Sequence, residues 1–299
     1  MKTFISVDLG GTNIRAALVS EDGQILDVKK DKTEAQLGKE HIMEKMESLI
    51  ASLDGYKDAL GIGLGIPGPT DTVNGKIIIS NNLPDLVGYP IADRIRNHFN
   101  KPTFMANDVK VAGLAEALLG EGKGKKNLYY LTISTGVAGA MILDGKVLSG
   151  FHGHGGEIGN AIIDPSREPI NGLNPGAAES WVSGPAIVRE ANKACHKEFA
   201  HAGEVFEAAK SDENAKAVVE QFKEDLAILL ANVCFVCNPE RILIQGGVMK
   251  SGSDFLEDVQ ERMRKYLFPG MRETTLANAT MEESGLVGAA MLAKSQMED

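Results

Sequence analysis

Cysteine, long apolar runs and positive charge are all scarce in this 299-residue chain. Its three cysteines, Cys195, Cys234 and Cys237, cannot all pair and do not make a disulfide scaffold. No apolar run approaches the roughly 18 residues that a membrane span needs. With 31 Lys and Arg against 41 Asp and Glu, the formal charge is −10. That balance speaks against a nucleic-acid partner, which would require a basic stripe. It does not exclude phosphate ligands, because a few backbone amides and one metal ion outweigh distant surface acids. Met1-Lys2-Thr3-Phe4 enters a strand-like run without the small-residue cleavage pattern of a signal peptide. A cytoplasmic protein that meets neither membrane nor nucleic acid is therefore expected. The Cys234-x-x-Cys237 spacing has the form of a redox or metal half-site, yet it lies in a run dense in Leu, Ile, Ala and Val. No second pair or nearby His completes a metal set, so packing is the favoured role, since free Cys behaves as a small core hydrophobe.

The 43% hydrophobic share supports a real core, and the length suggests one large domain or two of ordinary size. Phe4 to Asp8 and Ile14 to Val19 read as strands on either side of Leu9-Gly10-Gly11-Thr12, and the Asp22-Gly23 turn leads to a third, Gln24 to Val28. Helical spacing in His41 to Leu53 and Ile91 to Phe99 brackets a strand, Ala59 to Ile66, that ends at Pro67-Gly68-Pro69. A short β run, Lys76 to Ile79, follows that turn. The strand Thr103 to Ala106 leads into Asn107-Asp108, after which Val109, Val111, Ala112, Ala115, Leu118 and Leu119 recur at helical spacing. Beyond a polar link, Glu121 to Lys126, the pattern restarts with a strand (Leu128 to Ile133), a tip (Ser134-Thr135-Gly136), a strand (Ala138 to Leu143) and an Asp144-Gly145 turn. This is an internal repeat, because Asp144-Gly145 falls where Asp22-Gly23 fell. A helix-rich stretch, Ala177 to Cys237, precedes a strand, Arg241 to Ile244, stopped by Gly246-Gly247. A helix (Phe255 to Tyr266), a strand (Thr275 to Ala279) and a helix (Gly285 to Lys294) complete the chain. The alternation predicts an α/β fold of two similar halves facing each other across a cleft. Residues 1–120 form the first half and 121–284 the second, with the C-terminal helix, 285–299, expected to rejoin the first.

In Asp8-Leu9-Gly10-Gly11-Thr12, glycines without Cβ atoms can take backbone angles that aim consecutive N–H groups at one point. A phosphate suits that point, the Thr12 hydroxyl can add a bond, and Asp8 can hold Mg²⁺ through water. A plain glycine hairpin accounts for the same residues. The second tip, Ser134 to Gly139, raises the phosphate reading, since two such tips would grip one nucleotide from both sides. Gly246-Gly247 leaves room for adenine and ribose, or serves as a helix-entry turn. Asn107 and Asp108 are both favoured N-cap residues. Alternatively, Asp108 is a carboxylate at the carboxyl end of a strand, where open α/β sheets bind ligands. There it takes the proton from a substrate hydroxyl while Asn107 holds neighbouring hydroxyls.

Taken in order, Asp8-x-Gly10-Gly11-Thr12-x-x-Arg15, Asn107-Asp108, Gly153-x-x-Gly156-Glu157-x-Gly159 and Gly246-Gly247-Val248 resemble the ROK family of sugar kinases over nearly the whole chain. The resemblance implies an actin-like (ribonuclease H-like) fold, ATP with Mg²⁺, a hexose acceptor, usually at its C6 hydroxyl, and a homodimer. It assigns Asp108 as the base, Asn107 and Glu157 to sugar hydroxyls, and Glu179 to others near the anomeric end. His152 orients Glu157 or touches the sugar. Asp8, Gly10, Gly11 and Thr12 match the first phosphate motif, Ser134, Thr135 and Gly136 begin the second, and Gly246 and Gly247 match the adenosine motif.

The chain departs from the family in three places. Gly-Glu-x-Gly-His ends here in Asn160, a position that in the family touches both sugar and zinc. The family's zinc cysteines are absent from Glu168 to Ala178, and structural zinc needs four N or S ligands. No structural zinc is expected, although such sites contribute about 10 kcal/mol or more to small domains. Pro169 and Pro175 can stiffen the loop instead by restricting the unfolded chain. His152 and His154 lack a third ligand nearby. Ser134 and Ala138 stand where the second phosphate motif usually has glycines. Family members that regulate transcription carry a helix-turn-helix before the first phosphate motif. Here that motif begins at Asp8, so DNA binding is not expected, and a catalytically silent sugar sensor is the competing reading. Which sugar is used is not legible: glucose is the default, and Asn160 leaves mannose, allose, fructose, N-acetylmannosamine or a β-glucoside open. After incubation with zinc, elemental analysis is expected to find well under one equivalent retained; a full equivalent would contradict the zinc-free reading.

Overall fold

A computed structural model of the chain describes residues 1–251 and 255–298. The opening meander is β1 (Thr3–Leu9), β2 (Asn13–Ser20) and β3 (Ile25–Lys32). It is followed by α1 (Lys39–Ala51), β4 (Ile62–Ile66), the short β5 (Thr70–Asp71) and β6 (Lys76–Ile77), α2 (Ile91–Phe99), β7 (Thr103–Asn107) and α3 (Asp108–Leu118). The pattern then repeats with β8 (Asn127–Ile133), β9 (Val137–Leu143) and β10 (Lys146–Val147). The helices α4 (Glu179–Val182), α5 (Gly184–Cys195), α6 (Ala202–Ala208) and α7 (Glu213–Cys237) come next. Last are β11 (Arg241–Gln245), α8 (Gly247–Ser251), α9 (Leu256–Tyr266), β12 (Thr275–Asn278) and α10 (Ser284–Met297). Among these residues no helix is long and apolar enough to cross a membrane.

Two five-stranded sheets have matching orders, β3-β2-β1-β4-β7 and β10-β9-β8-β11-β12. In the first, β1 pairs antiparallel with β2 and parallel with β4, and β4 pairs parallel with β7. In the second, β8 and β12 both pair parallel with β11. The duplication read from the two Asp-Gly turns is therefore present in the strand order itself. β3 runs four residues past its expected end at Val28. It is an edge strand with alternate residues exposed, and lysines on an edge discourage pairing with other chains. The helix-rich segment breaks where polar side chains cap new helices: Ser183 Oγ accepts from Ala186 N, and Asp212 Oδ1 from Asn214 N and Ala215 N.

The chain forms two compact units. The first comprises Met1–Gly124, Met141–Gly155 and the segment from Met281 onward; the second comprises Lys125–Ala140 and Gly156–Thr280. In the first unit, Ile5, Val7 and Leu9 of β1, Ile62, Leu64 and Ile66 of β4, and Ile42, Met43 and Met46 of α1 share one core. The C-terminal helix α10 packs on α3 and on the sheet. Glycine makes that approach possible. A Cβ on Gly63 would lie 1.7 Å from Ala289 O, and one on Gly288 would lie 1.8 Å from Val111 O. In the second unit, Leu226, Leu229, Leu230 and Val233 of α7 are buried, as are Ile242, Leu243 and Ile244 of β11. Cys234 is buried beside Met263, Sγ to Sδ 4.0 Å. Burial pushes its thiol up to about 11 and raises Cys237 as well, so neither thiol is poised as the thiolate that redox or metal chemistry uses.

Because the atom facing Gly288 is backbone, a methyl group there cannot be absorbed by a rotamer change. Gly288→Ala is expected to cost about 1–3 kcal/mol or more, read as a lower denaturant midpoint at unchanged slope. Gly270→Ala, where nothing lies within 4 Å, is the near-neutral control. An unchanged midpoint for Gly288→Ala would contradict this account of α10 packing.

Candidate functional site

The carboxyl ends of the parallel strands β1, β4 and β7 gather three of the first unit's motifs. Asp8 pairs in register with Gly65 and Gly65 with Ala106, which places Asp8, the Pro67-Gly68 turn and Asn107-Asp108 along one edge. The two residues of the Asn-Asp pair take different positions at the start of α3. Asn107, extended at φ −61° and ψ 144°, is the N-cap of α3. Its Oδ1 accepts from Val109 N (3.0 Å) and Lys110 N (3.3 Å), and its Nδ2 donates to Gly68 O (3.1 Å). Asp108 is half-buried in the first helical turn, with Oδ1 accepting from Val109 N at 2.8 Å. Two residues on, the buried Lys110 donates from Nζ to Gly153 O, which ties α3 to the segment carrying His152. Gly153 has φ +73°, and a Cβ on it would lie 2.0 Å from Thr70 O, so only glycine fits. His152 is exposed, its ring 4.3 Å from that of Phe151.

Asp8 faces Arg15 across the first hairpin. Arg15 donates to Asp8 Oδ2 from Nε (3.1 Å) and NH2 (2.6 Å), and from NH1 to Glu283 Oε2 (2.6 Å). Burial works against the Arg15 charge, but the Asp8 and Glu283 carboxylates more than offset it and hold the guanidinium above its usual pKa. Arg15 was visible only as a motif letter, although counting back from the hairpin tip places it opposite Asp8. Neither Gly10 nor Gly11 takes a left-handed backbone angle, and both are crowded, a Cβ on Gly10 lying 3.2 Å from Asn13 O. Gly10 N donates to Asn13 O and its carbonyl accepts Thr33 Oγ1, while a Cβ on Gly11 would lie 2.9 Å from Asn82 Cβ. Thr12 is exposed.

In the second unit, the parallel neighbours β8 and β11 lead directly into Ser134 and Gly246. Ser134 N donates to Gly136 O, and Gly184 N donates to Ser134 O, both at 2.9 Å. Gly246 sits at φ +120°, where a Cβ would lie 2.0 Å from Ile133 O. Gly247 then opens α8, so the glycine pair does serve as a helix-entry turn. A cavity of about 770 Å³ lies at these strand ends, lined by Ser134, Thr135, Gly184, Pro185, Val188, Gly247 and Val248. Arg189, Asn192, His201 and Ser251 add polar groups to its wall. A crevice outside the carboxyl ends of parallel strands is where α/β sheets bind ligands. Sequence reasoning did not find the α5 and α6 residues, which lie on helices without a motif; the one available signal was Ser183-Gly184-Pro185, a cap followed by an early proline.

Beside that tip, Glu179 Oε2 accepts from Val137 N (2.9 Å), and Glu179 N donates to Gly159 O (2.8 Å). A Cβ on Gly136 would lie 2.7 Å from Glu179 Oε2, and one on Gly159 would lie 2.3 Å from Val137 O. The Ser134 to Gly139 tip, the Gly156-Glu157-x-Gly159 motif and Glu179 therefore meet. Glu157 is exposed. Tyr129 donates from its hydroxyl to Gly156 O, and burial holds that phenol above its usual pKa.

Asn160 is spent largely on the chain. Its Oδ1 accepts from Asn174 N (2.7 Å), and its carbonyl accepts from Asn174 Nδ2 (3.1 Å). The same loop is held by Ile163 N to Gly176 O and Ala178 N to Ala161 O. Arg167 makes a two-point bridge to the buried Asp225 (2.7 and 2.8 Å) and lies 4.5 Å from the Trp181 ring centre. Among the described residues, no group of three or more His, Cys, Asp or Glu is arranged to hold a metal ion.

The sequence matches the ROK family over residues 4–296. The glucokinase of Thermotoga maritima is 31% identical, with 98% of each chain covered. The N-acetylmannosamine kinase of Haemophilus influenzae is 30% identical, covering 99% of this chain and 96% of its own length. Among solved structures, the ROK hexokinase from Thermus thermophilus superposes with a TM-score of 0.89 at 30% identity, covering 99% of both chains.

Removing Arg167 would leave the Asp225 carboxylate buried, with Gln221 Nε2 (2.9 Å) as its remaining partner. Breaking a buried ion pair from one side costs about 3–5 kcal/mol, so Arg167→Met is expected to lower the unfolding midpoint strongly. Asp164→Asn, at the more exposed end of the same guanidinium, should shift the midpoint far less, since solvent screens that contact. Equal effects in a denaturant titration would contradict the central role given to the Asp225 bridge.

Proposed function

The chain belongs to the ROK family, and we propose that it is an ATP-dependent sugar kinase that moves the γ-phosphoryl group onto a hexose hydroxyl, with Asp108 as general base. The observation that carries this reading is the division of labour at α3. Asn107 closes the helix end, so the Asp108 carboxylate is not required as the cap and stands at the sheet edge where ligands bind.

In this reading the adenosine occupies the cavity against Gly247 and Val248, next to Gly246, and the tip Ser134 to Gly136 takes phosphate through the amides of Thr135 and Gly136, the Ser134 amide being bonded to Gly136 O. Gly10, Gly11 and Thr12 are likewise assigned to phosphate. Mg²⁺ arrives with the nucleotide as part of the substrate. Arg15 holds Asp8 through Oδ2, which leaves Oδ1 to accept a hydrogen bond from one of the metal's water ligands. Glu157 and Glu179 accept sugar hydroxyls. Asn107 contributes the second hydrogen of its amide nitrogen, and Asn160 contributes Nδ2, since its Oδ1 is committed to Asn174. Glucose, phosphorylated on the C6 hydroxyl, is the first substrate to test, and N-acetylmannosamine the second.

Phosphoryl transfer depends on positioning and charge stabilisation more than on covalent help. As the sugar oxygen bonds to the γ-phosphorus and the bond to the ADP oxygen breaks, the hydroxyl proton passes to the Asp108 carboxylate. A positioned base contributes about 10²–10⁴-fold. Asp108→Asn is therefore expected to keep the fold and sugar binding while losing turnover by that factor. The check is coupled ADP release over a sugar panel with ATP and Mg²⁺. Wild-type rates in the variant would remove Asp108 from this role, and sugar binding without ADP release in the unmodified protein would mark a sensor.

A further inference from the structure

Glu179 belongs to two parts of the site at once. In the kinase reading, on which this inference rests, its carboxylate receives sugar hydroxyls. In the structure the same carboxylate holds the second phosphate tip, because Oε2 accepts the Val137 amide at 2.9 Å. It occupies the space that a side chain at position 136 would fill, 2.7 Å from where a Gly136 Cβ would be. Its own amide is fixed to Gly159 O, so the backbone of residue 179 is anchored while its carboxylate reaches the tip.

We infer that Glu179 is a positioning residue through which sugar occupancy orders the phosphate tip, so that sugar and nucleotide bind cooperatively. A carboxylate offers about four lone-pair sites over its two oxygens, and the Val137 amide uses one. A sugar hydroxyl bonded to Oε1 then restricts rotation of the whole carboxylate. Through Oε2 it also fixes the Val137 amide and the peptide that precedes it. Without sugar, the side-chain torsions of Glu179 loosen the same amide. Each ligand thus finds part of the ordering already done by the other, which produces positive coupling, and the coupling is reciprocal. It also ties nucleotide positioning to the presence of an acceptor, and so disfavours transfer to water.

The test separates this inference from the kinase reading. Trp181, two residues after Glu179, is the only tryptophan in the chain, and its fluorescence reports binding without turnover. A non-hydrolysable ATP analogue with Mg²⁺ is titrated with and without saturating glucose, glucose being replaced by the fastest panel sugar if it is not phosphorylated. In the unmodified protein the sugar is expected to tighten the analogue by about 5–150-fold, the usual span of such coupling. The decisive variant is Gly136→Ala. Its backbone angle suits alanine, and the facing atom is the end of a flexible side chain, so the protein is expected to fold with the Glu179 carboxylate displaced. Although this substitution lies in the phosphate tip, the sugar KM should rise about tenfold, and the coupling factor should fall towards one. Glu179→Gln, whose side-chain carbonyl can still accept the Val137 amide, should bind sugar more weakly yet keep most of the coupling, whereas Glu179→Ala should lose it. An unmodified protein with no coupling, or a Gly136→Ala variant with wild-type sugar KM and coupling, overturns the inference. Absence of ADP release with every sugar overturns the kinase reading instead.

Discussion

The hydrogen bonds from Val109 N and Lys110 N to Asn107 Oδ1 are the constraint from which the proposed chemistry follows. A helix that starts directly after a buried strand presents unpaired amides, and something must satisfy them. Here the satisfying group is neutral and comes from the last residue of β7. The cap is worth about 1 kcal/mol of helix stability, and its larger consequence is what it leaves to its neighbour. Asp108 is held in a rigid first turn, at the edge of a sheet, by a helix whose end is already closed. Asn107 also donates to Gly68 O, so the turn after β4 and the start of α3 form one rigid assembly. Support from behind comes from α10, whose Gly288 lets the Val111 carbonyl come close. The last element of the chain thereby stabilises the placement of residues near its middle.

How much of this was legible depended on whether the deciding interaction was local. The duplicated sheet order could be read because each half repeats a glycine-containing tip and an Asp-Gly turn at the same spacing. The length of β3 could not, since an edge strand carrying Lys29, Lys30 and Lys32 has no apolar face to show the alternation. Both residues of the Asn-Asp pair have the chemistry of a cap; the choice lies in the backbone angles of one residue, which composition does not reveal. Gly10 and Gly11 invited a conformational explanation, whereas Asn82, some seventy residues along the chain, supplies the crowding that excludes a side chain at Gly11. Gly246 is the opposite case, with a positive φ and a blocked Cβ direction together. The polar residues of the cavity wall, Arg189 and Asn192 of α5 and His201 just before α6, have no recurrent spacing, and only the tertiary fold brings them together.

The loop from Asn160 to Ala178 is held by hydrogen bonds and an ion pair, and among the described residues no group of His, Cys, Asp or Glu is arranged to hold a metal there. A zinc ion binds four ligands in one step and makes loop folding depend on metal supply. The hydrogen bonds between Asn160 and Asn174 and the Arg167–Asp225 bridge build the loop from the chain alone. Each bond is individually weak, a net 0.5–1.5 kcal/mol by the usual estimate, so the loop must rely on several acting together. The position of Trp181 shows how they cooperate. Arg167 and Arg189 both lie over its ring, Arg189 also donates to Ser180 O, and Ser180 follows Glu179. These contacts therefore end on the short helix whose first residue, Glu179, accepts the Val137 amide. Had the loop been held at its far end only, its stability and the geometry of Glu179 would have been independent. Because it is held through α4, the same contacts that fold the loop also determine where the Glu179 carboxylate can stand.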